Sequence, residues 1–362
     1  MYEKLLSVRC DNEAVAHSNG LPAQNYTDPA HFELEKERIF YRSWICVGHE
    51  CMAKERGEYF VANVIDQSVL VVRSGDGQLN AFFNVCRHRG HDIASGSGRC
   101  NRFVCPYHAW SYGLDGCLLK APHTERVDSF DLEQVSLKSV AVATLAGAIF
   151  VNLDLQAPPL HSVFDGVEAE ILAHKPNVAE LALIYDNPVV HHCNWKASVE
   201  NFSECYHCAS VHGYLTANII DPDSYQLSAR ALVQRHVIEA RDGSMTQRLW
   251  HFWPNTAMGL YPIPNVGMIW CIRHMFPVRH NESIYHYRWF CEAGGAAGAV
   301  REYATHHAQT TGAEDAAVTA GVQRGMNSLG FEHAQLFSTP QHGVTSEHVI
   351  KYFHDLVKVA VS

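Results

Sequence analysis

Two short cysteine–histidine pairs constrain this chain more than any other feature of its sequence. One residue separates Cys86 from His88, two residues separate Cys105 from His108, and sixteen residues lie between the pairs. Two thiolates and two neutral imidazoles suit a [2Fe–2S] cluster in which one iron binds both sulfurs and the other binds both nitrogens. Neutral nitrogen ligands raise the reduction potential of such a cluster to roughly −150 to +300 mV, so that it accepts electrons from a ferredoxin-like donor.

A zinc site is the alternative for these four residues, because zinc also binds two cysteines and two histidines. Zinc ligand sets usually place both cysteines before both histidines, whereas each half of this motif contains one of each. The order therefore favours the cluster. The segments CRHRG and CPYHAW match the cluster motif of the Rieske family at every ligand position, and the chain resembles that family.

A second metal site is predicted downstream. Glu200, Glu204 and His207 recur at i, i+4 and i+7, which predicts one face of a helix over residues 196–209. His212 follows five residues after His207, so the helix must end or distort near that point if both imidazoles bind one metal. Two histidines and a carboxylate form the facial triad of non-haem Fe(II) oxygenases. The alternative is a pair of surface histidines, but NWK followed by ENFSECYHCASVH resembles the catalytic-iron segment of Rieske oxygenase α subunits.

The carboxylate ligand is expected to be Asp315. Four apolar residues recur after it at helical spacing and predict the buried face of a helix over 313–329: Val318, Val322, Met326 and Leu329. Asp315 lies on the same predicted face, where a buried acid needs a partner such as a metal. The alternative is a first-turn acid stabilised by the helix dipole, a role that suits Glu314 better. The stretch from Glu314 to Gly325 resembles the segment that carries the family's carboxylate ligand.

Composition narrows the class of protein. With 362 residues and 47% hydrophobic residues, the chain can form two domains with sizeable cores. A net charge of −10 argues against nucleic acid or an anionic membrane as partner. No apolar run is long enough to span a membrane, and the N-terminal segment resembles no signal peptide, so a cytoplasmic location is expected. In that compartment cysteines stay reduced, and four of them are expected to be core thiols: Cys193, Cys205, Cys208 and Cys271.

The fold class expected is α+β. Residues 1–42 are predicted as an N-terminal helical segment that packs on the catalytic domain, with a short helix at 33–42. Residues 43–156 are predicted as an antiparallel β domain that holds the [2Fe–2S] cluster, with a hairpin turn at Ser74–Gly77. Residues 157–362 are predicted as a catalytic domain with a mononuclear iron, built on a central antiparallel sheet flanked by helices.

The resemblance covers almost the whole chain and is closest to the α subunits of carnitine, glycine-betaine and proline-betaine oxygenases. These proteins have Glu at the position of Glu204, where many Rieske oxygenases have Asp. The resemblance implies that Glu204 is a catalytic residue that joins a cluster histidine of one subunit to an iron histidine of the next. It also implies a head-to-tail homotrimer and a flavin/iron–sulfur reductase that delivers electrons from NAD(P)H.

The substrate prediction depends on residues 214–300, where the resemblance is weakest. Four aromatic residues from this region are predicted to bind substrate: Trp250, Trp253, Tyr261 and Trp270. Aromatic faces attract a quaternary ammonium, although such residues also form the cores of alternating strands. The predicted function is O2- and NAD(P)H-dependent hydroxylation with C–N cleavage (N-demethylation) of a small quaternary-ammonium or betaine-like substrate. The alternatives are ring hydroxylation or O-demethylation of an aromatic acid and, more remotely, a Rieske electron carrier.

Overall fold

The computed structural model describes residues 1–10, 16–124, 126–339 and 343–362. Within these ranges the β-strands are Ala16–Pro22 (β1), Ile45–His49 (β2), Glu58–Val64 (β3), Gln67–Arg73 (β4), Leu79–Phe83 (β5), Ser97–Arg99 (β6), Phe103–Val104 (β7), Ser111–Tyr112 (β8), Leu118–Lys120 (β9), Ser139–Leu145 (β10), Ala148–Asn152 (β11), Ala182–His191 (β12), Gln226–Arg230 (β13), Val233–Glu239 (β14), Thr246–Phe252 (β15), Thr256–Ile263 (β16), Gly267–Arg279 (β17), Glu282–Cys291 (β18) and His333–Ser338 (β19).

The α-helices in the same ranges are Tyr2–Ser7 (α1), Gln24–Thr27 (α2), Pro29–Glu35 (α3), Leu160–Val163 (α4), Val167–His174 (α5), Trp195–Phe202 (α6), Cys208–Val211 (α7), Gly213–Asn218 (α8), Ala297–Gln309 (α9), Thr311–Met326 (α10) and His348–Val361 (α11). A π-helical turn, Lys36–Phe40, continues α3, so the helix predicted at 33–42 is present but is not a regular α-helix. No helix in the described ranges has both the length and the apolar character needed to cross a membrane.

The chain forms two compact units. The first contains Met1–Ile39, His161–Ala173 and Leu181–Ser362, and the second contains Phe40–Leu160 and His174–Glu180. Both units rest on antiparallel sheets, and helices accompany the sheet of the first, which confirms the α+β class. The predicted limits of the N-terminal segment and the two domains, 1–42, 43–156 and 157–362, stay a prediction.

The second unit is built on antiparallel pairs alone. Its larger sheet has the order β2-β11-β10-β5-β4-β3-β6, and a smaller sheet has the order β7-β8-β9. The predicted hairpin joins β4 to β5, and its turn places Gly77 at φ 83°, a left-handed conformation that suits glycine. Cys86, Cys105 and Tyr112 belong to the hydrophobic core of this unit, so the loops that carry the cysteines start from a rigid base.

The first unit is built on a seven-stranded antiparallel sheet in the order β12-β18-β17-β16-β15-β14-β13. Side chains alternate between its two faces, so paired residues such as Arg273 and Tyr287 share one face while Trp270 and Phe290 share the other. Helices α6, α9 and α10 pack on this sheet. The N-terminal segment joins the same unit, because β1 pairs with β19 and α1 packs on α11.

The predicted helix over 196–209 is wrong in its second half, since α6 ends at Phe202. The amides of Tyr206 and His207 bond to the carboxylate of Glu204 instead of continuing the helical ladder. An acidic side chain that accepts nearby backbone N–H groups favours a turn over a helix. Glu200, Glu204 and His207 therefore do not share a helical face.

The predicted buried face of the helix over 313–329 is also wrong. The helix ends at Met326, Val322 is 41% exposed and Leu329 lies beyond the end in solvent. The buried face is largely polar and contains Asp315, Thr319, Gln323 and Met326. Gln323 explains the difference, because its side chain accepts from the Asn194 amide at 2.7 Å and donates to the Tyr26 carbonyl at 3.2 Å.

Candidate active site

Two loops of the same backbone shape carry the cysteine–histidine pairs. In the first loop, the Cys86 amide donates to the His91 carbonyl at 2.8 Å, and the Gly90 amide donates to the Cys86 carbonyl at 3.0 Å. The second loop repeats both bonds with the same spacing and distances, through Cys105, Ala109 and Trp110. Gly90 and Ala109 occupy the same position in their loops, and both have left-handed backbones, with φ of 76° and 57°.

The four side chains fit the donor set of a Rieske cluster. Cys86 and Cys105 are each 2% exposed, whereas His88 and His108 are exposed and their ring centroids lie 4.6 Å apart. Burial raises the pKa of the Cys105 thiol, so a bound metal is needed to hold it as a thiolate. The structure thus places two sulfurs on the core side and two nitrogens on the solvent side. A Rieske cluster needs this separation, because one of its irons binds both sulfurs and the other binds both nitrogens.

Tyr112 is a cluster neighbour that motif spacing did not reveal. Its hydroxyl accepts from the Arg87 amide at 3.0 Å and lies 3.3 Å from Sγ of Cys86. Burial and the neighbouring thiol raise the pKa of Tyr112 far above its ordinary value, so the hydroxyl keeps its proton. A cysteine that binds a cluster is a thiolate without a proton, so with a cluster bound the hydroxyl would be the donor to the sulfur.

His207, His212 and Asp315 bring three donor atoms together. The two Nε2 atoms lie 3.0 Å apart, and Oδ1 of Asp315 lies 3.5 Å from the first and 3.1 Å from the second. Ligand atoms held about 2.1 Å from one metal at right angles are about 3 Å apart. Oδ1 of Asp315 is buried and has no hydrogen-bond partner in the described part of the chain. This orphaned oxygen and the spacing fit a facial-triad iron.

Each histidine of this group is oriented by a second acid. The carboxylate of Glu204 contacts Nδ1 of His207, and Oε2 of Glu314 lies 2.8 Å from Nδ1 of His212. An acid that accepts the Nδ1 proton leaves the Nε2 lone pair for a metal. The role of Glu314 was missed, because a first-turn acid is usually explained by the helix dipole.

The charges at this centre are strongly coupled. Burial lowers the pKa of His207, but Asp315 and Glu204 more than offset it and raise the pKa to about 10. For Asp315, burial raises the pKa, but the two imidazoles hold it well below its usual range. The site is thus built to stabilise positive charge next to an ionised carboxylate, which is also what a bound cation requires.

Cys205 and Cys208 form a disulfide, so the prediction that both are core thiols is wrong. The turn that follows α6 brings their Cα atoms within 4.9 Å of each other, on either side of His207. Sγ of Cys208 lies within 4.8 Å of the ligand nitrogens of His207 and His212, but a sulfur in a disulfide is not a thiolate ligand. Asp315 is therefore the better third ligand. Cys193 and Cys271 are buried free thiols, as predicted.

A cavity of about 590 Å³, open solvent at its mouth included, lies beside this centre. His207, His212 and Asp315 form part of its wall, and Tyr261, Arg273 and Tyr285 project into it from the sheet.

Three of the four aromatic residues predicted to bind substrate do not line this cavity. Only Tyr261 does, while Trp250, Trp253 and Trp270 are buried elsewhere in the unit. Trp250 and Trp270 lie 6.4 Å apart on the opposite face of the sheet, and Nε1 of Trp250 donates to Glu170 at 3.2 Å. Trp253 packs against Phe353. Aromatic content cannot tell the two faces of a strand apart, because a shift of one residue reverses every side chain.

The sequence matches two protein-family models. The first, the Rieske [2Fe–2S] domain, matches residues 43–131, and the second, the ring hydroxylating alpha subunit (catalytic domain), matches residues 178–237 and 218–362. These matches confirm the predicted cofactors, a [2Fe–2S] cluster and a mononuclear iron, with electrons that a reductase supplies.

Two curated relatives are oxygenase subunits. The carnitine monooxygenase oxygenase subunit of Escherichia coli K12 is 32% identical over 348 residues, which is 93% of this chain and 92% of that protein. The glycine betaine monooxygenase oxygenase subunit of Chromohalobacter salexigens is 36% identical over 206 residues, which is 57% of this chain and 46% of that protein.

Solved structures of related oxygenases share the fold of this chain. The quaternary ammonium Rieske monooxygenase CntA, in complex with L-carnitine, superposes with a TM-score of 0.86 at 30% identity and 97% coverage of both chains. Naphthalene 1,2-dioxygenase from Rhodococcus, with a TM-score of 0.83 at 19% identity and 94% coverage of both chains, shares the fold. The chain is therefore an oxygenase that belongs to the Rieske family of ring-hydroxylating α subunits.

Proposed function

We propose that this protein is the oxygenase component of a monooxygenase that hydroxylates a carbon bonded to nitrogen in a small quaternary-ammonium or betaine-like substrate. The observation that carries the proposal is the convergence of His207, His212 and Asp315 on the wall of a small-molecule cavity. The relatives named for carnitine and glycine betaine support the substrate class.

The proposal assigns the metal ligands by residue. Cys86, His88, Cys105 and His108 hold the cluster, and His207, His212 and Asp315 hold the mononuclear iron. Glu204 and Glu314 fix the two iron histidines by accepting their Nδ1 protons. When bound, the cluster supplies single electrons and the iron activates O2.

The proposed reaction balances with one O2, two electrons and two protons. One oxygen atom enters the C–H bond next to nitrogen, and the other leaves as water. The resulting carbinolamine loses its hydroxyl proton and its C–N bond breaks, which releases an aldehyde and a tertiary amine. Tyr261 and Tyr285 border the cavity in which this collapse would take place.

Transfer between subunits is part of the same proposal. Glu204 faces His207 and remains partly exposed, so a second imidazole from a neighbouring subunit has access to its carboxylate. One solved CntA structure is described as giving insights into inter-subunit electron transfer. We infer a head-to-tail homotrimer, a flavin/iron–sulfur reductase as partner and a cytoplasmic location, where NAD(P)H is available.

Turnover of a substrate panel tests the function. The purified protein, a reductase and NAD(P)H are combined with betaines in one series and aromatic acids in another, and O2 uptake is compared with amine and aldehyde release. We expect tight coupling with a betaine. Coupled turnover of aromatic acids alone would contradict the proposal, and substrate-independent electron transfer alone would indicate a carrier.

Two variants test the assigned roles. His207→Ala should lose substrate oxidation while its cluster is still reduced, as a true oxygenase requires. Glu204→Ala should leave a reduced cluster that fails to reoxidise with substrate and O2 in single-turnover experiments.

Light scattering at the assay concentration should show a trimer, and a fully active monomer would contradict transfer between subunits.

A further inference from the structure

Arg273 is a buried cation on the wall of the cavity. It lies in β17, is 7% exposed, and shares the cavity with the iron-site residues. No carboxylate in the described part of the chain lies within ion-pair distance of its guanidinium. Its Nε has no hydrogen-bond partner among the described residues, and its Nη2 donates to Nε2 of His307 at 3.3 Å. A buried charge without a counter-ion is costly and needs an anion from elsewhere.

The polar groups around Arg273 are neutral. Burial raises the pKa of the Cys271 thiol to about 12 and raises the pKa of the Tyr261 hydroxyl well above its ordinary value. Burial and the charge of Arg273 lower the pKa of His307 to about 3. None of these groups supplies negative charge near neutral pH.

Aromatic rings surround the guanidinium instead. Its Cζ lies 4.6 Å from the centroid of Tyr261, 4.9 Å from that of Tyr287 and 5.7 Å from that of Phe202. Cation–π attraction stabilises the charge there without neutralising it. The ring of Tyr261, which was predicted to receive a substrate ammonium, is therefore already engaged by a cation of the protein.

His307 adds a second donor at this end of the cavity. Because its Nε2 accepts from Arg273, a neutral imidazole carries its proton on Nδ1, and that atom is buried without a partner among the described residues. The Arg273 Nε–H and the His307 Nδ1–H thus both lack acceptors among the described residues, and a carboxylate is the kind of acceptor that satisfies such donors.

We propose that Arg273, assisted by His307, is the carboxylate-binding site of the substrate cavity. The charge of Arg273 is then paired by the substrate, whereas Glu204 and Asp315 are already paired with the iron histidines. On the proposed function, a betaine binds with its carboxylate at Arg273. A permanent cation that lacks a carboxylate leaves Arg273 unpaired and is disfavoured.

Binding to the holoenzyme under anaerobic conditions tests this without turnover. Calorimetry compares γ-butyrobetaine with its primary amide, which keeps the ammonium and removes the negative charge, and compares benzoate with benzamide. We expect the wild type to bind one acid about 10- to 150-fold more tightly than its amide, the range for a hydrogen bond to a charged group. Arg273→Met should remove that preference, and Arg273→Lys should retain part of it.

The control is Arg235→Met, which removes another arginine from the same sheet. The Arg235 guanidinium pairs with Glu170 at 2.7 and 2.8 Å, so this variant should keep the preference for the acid. If Arg273→Met does not fold, the wild-type ratio and Arg273→Lys still decide. An Arg273-dependent preference for benzoate without any betaine binding would refute the proposed function and keep the carboxylate site. No preference for the acid in either pair, or no binding of either acid, would overturn the site.

Discussion

The ammonium group of Lys196 lies 2.5 Å from Oε1 of Glu35, and neither side chain is exposed to solvent. The pair joins the N-terminal helix α3 to the first turn of α6, the helix that leads to the iron-site turn. The Trp195 indole donates to the second oxygen of Glu35 at 2.8 Å, and Lys196 also donates to the Asn25 carbonyl at 2.9 Å. The pair is thus fully hydrogen-bonded, the condition under which a buried ion pair is tolerated.

Breaking this pair from one side should be costly. Glu35→Gln leaves a buried lysine without a counter-ion, and we expect the free energy of unfolding to fall by about 3 to 5 kcal/mol. The control is Glu33→Gln, because Glu33 pairs with Lys36 at 2.8 Å but is 65% exposed, and its loss should cost less than about 1 kcal/mol. Urea unfolding followed by circular dichroism compares the two, and equal losses would contradict the prediction.

Glu314→Gln should weaken iron binding. The variant loses the charge that holds the Nδ1 proton of His212, and such outer-shell changes typically reduce metal affinity about 10- to 100-fold. Iron retention during dialysis against a graded chelator measures the effect. Glu302→Gln, which changes an exposed acid on α9, should match the wild type. Unaltered iron retention in Glu314→Gln would contradict a role for this carboxylate in iron binding.

Tyr112→Phe should lower the reduction potential of the cluster. A hydrogen bond to Cys86 stabilises the more negative reduced state, and a bond worth about 1 to 1.5 kcal/mol corresponds to about 40 to 65 mV for one electron. Protein-film voltammetry measures the shift. The control is Tyr59→Phe, which alters a tyrosine of the same unit that packs on Phe103. The reduction potential of the cluster in this variant should equal that of the wild type. Equal potentials in both variants would exclude a tuning role.

Replacing Cys205 and Cys208 together by serine should loosen the turn that holds His207. Closing so short a loop is worth about 2 kcal/mol, so iron affinity should fall by up to about 30-fold. The control is Cys51→Ser, which changes a cysteine of the other unit that forms no disulfide. Alkylation of unfolded, unreduced wild type followed by mass spectrometry should leave both cysteines unmodified. Alkylation of both would show that the pair is a dithiol.

Acid should steeply destabilise the first unit, the catalytic unit that contains His207, His212 and Asp315. Burial is the main cause that lowers the pKa of five of its histidines, to about 4 for His191, to about 3 for His236, His251 and His307, and well below its ordinary value for His274. Because the folded pKa values are depressed, this stability is present above the unfolded value of about 6.5 and is lost as pH falls toward 3. Each group contributes about 1.4 kcal/mol per pH unit in that window.

Denaturant titrations between pH 7 and pH 4.5 measure this slope. His251→Gln should reduce it by about 1.4 kcal/mol per pH unit, since one proton-binding difference is removed. His192→Gln changes an imidazole that is 74% exposed and should leave the slope unchanged. A wild-type free energy that stays flat across this range would contradict the prediction.

The sequence was sufficient where ligand chemistry restricts residue type and order. Cys86 and Cys105 alternate with histidines in an order that suits an iron–sulfur cluster better than zinc. The structure places both cysteines in one core and brings the rings of His88 and His108 to 4.6 Å. Asp315 was predicted on a buried face and is buried, although its neighbours on that face are polar and not the valines that motivated the prediction.

The sequence was insufficient where one residue of phase decides. Trp250 and Leu249 are adjacent, yet Leu249 lines the cavity and Trp250 lies on the other side of the sheet. Arg273 escaped notice for a related reason, since a single arginine in a strand shows neither its face nor its missing counter-ion until the sheet is formed. Helix α6 ends early because the Glu204 side chain competes for backbone amides. The helical spacing of residues in the sequence does not predict such competition.

The two ends of the chain meet inside the catalytic unit, and this determines the order in which the protein can be completed during synthesis. The Leu21 amide lies 3.3 Å from Nδ1 of His354, 333 positions later, so a ribosome needs about 17 to 67 s between making one partner and the other. Throughout that interval β1 lacks its partner strand β19, and an unpaired strand edge favours aggregation. The unit that contains Cys86 and Cys105 ends at Glu180, so all of its residues are synthesised before His207, His212 and Asp315.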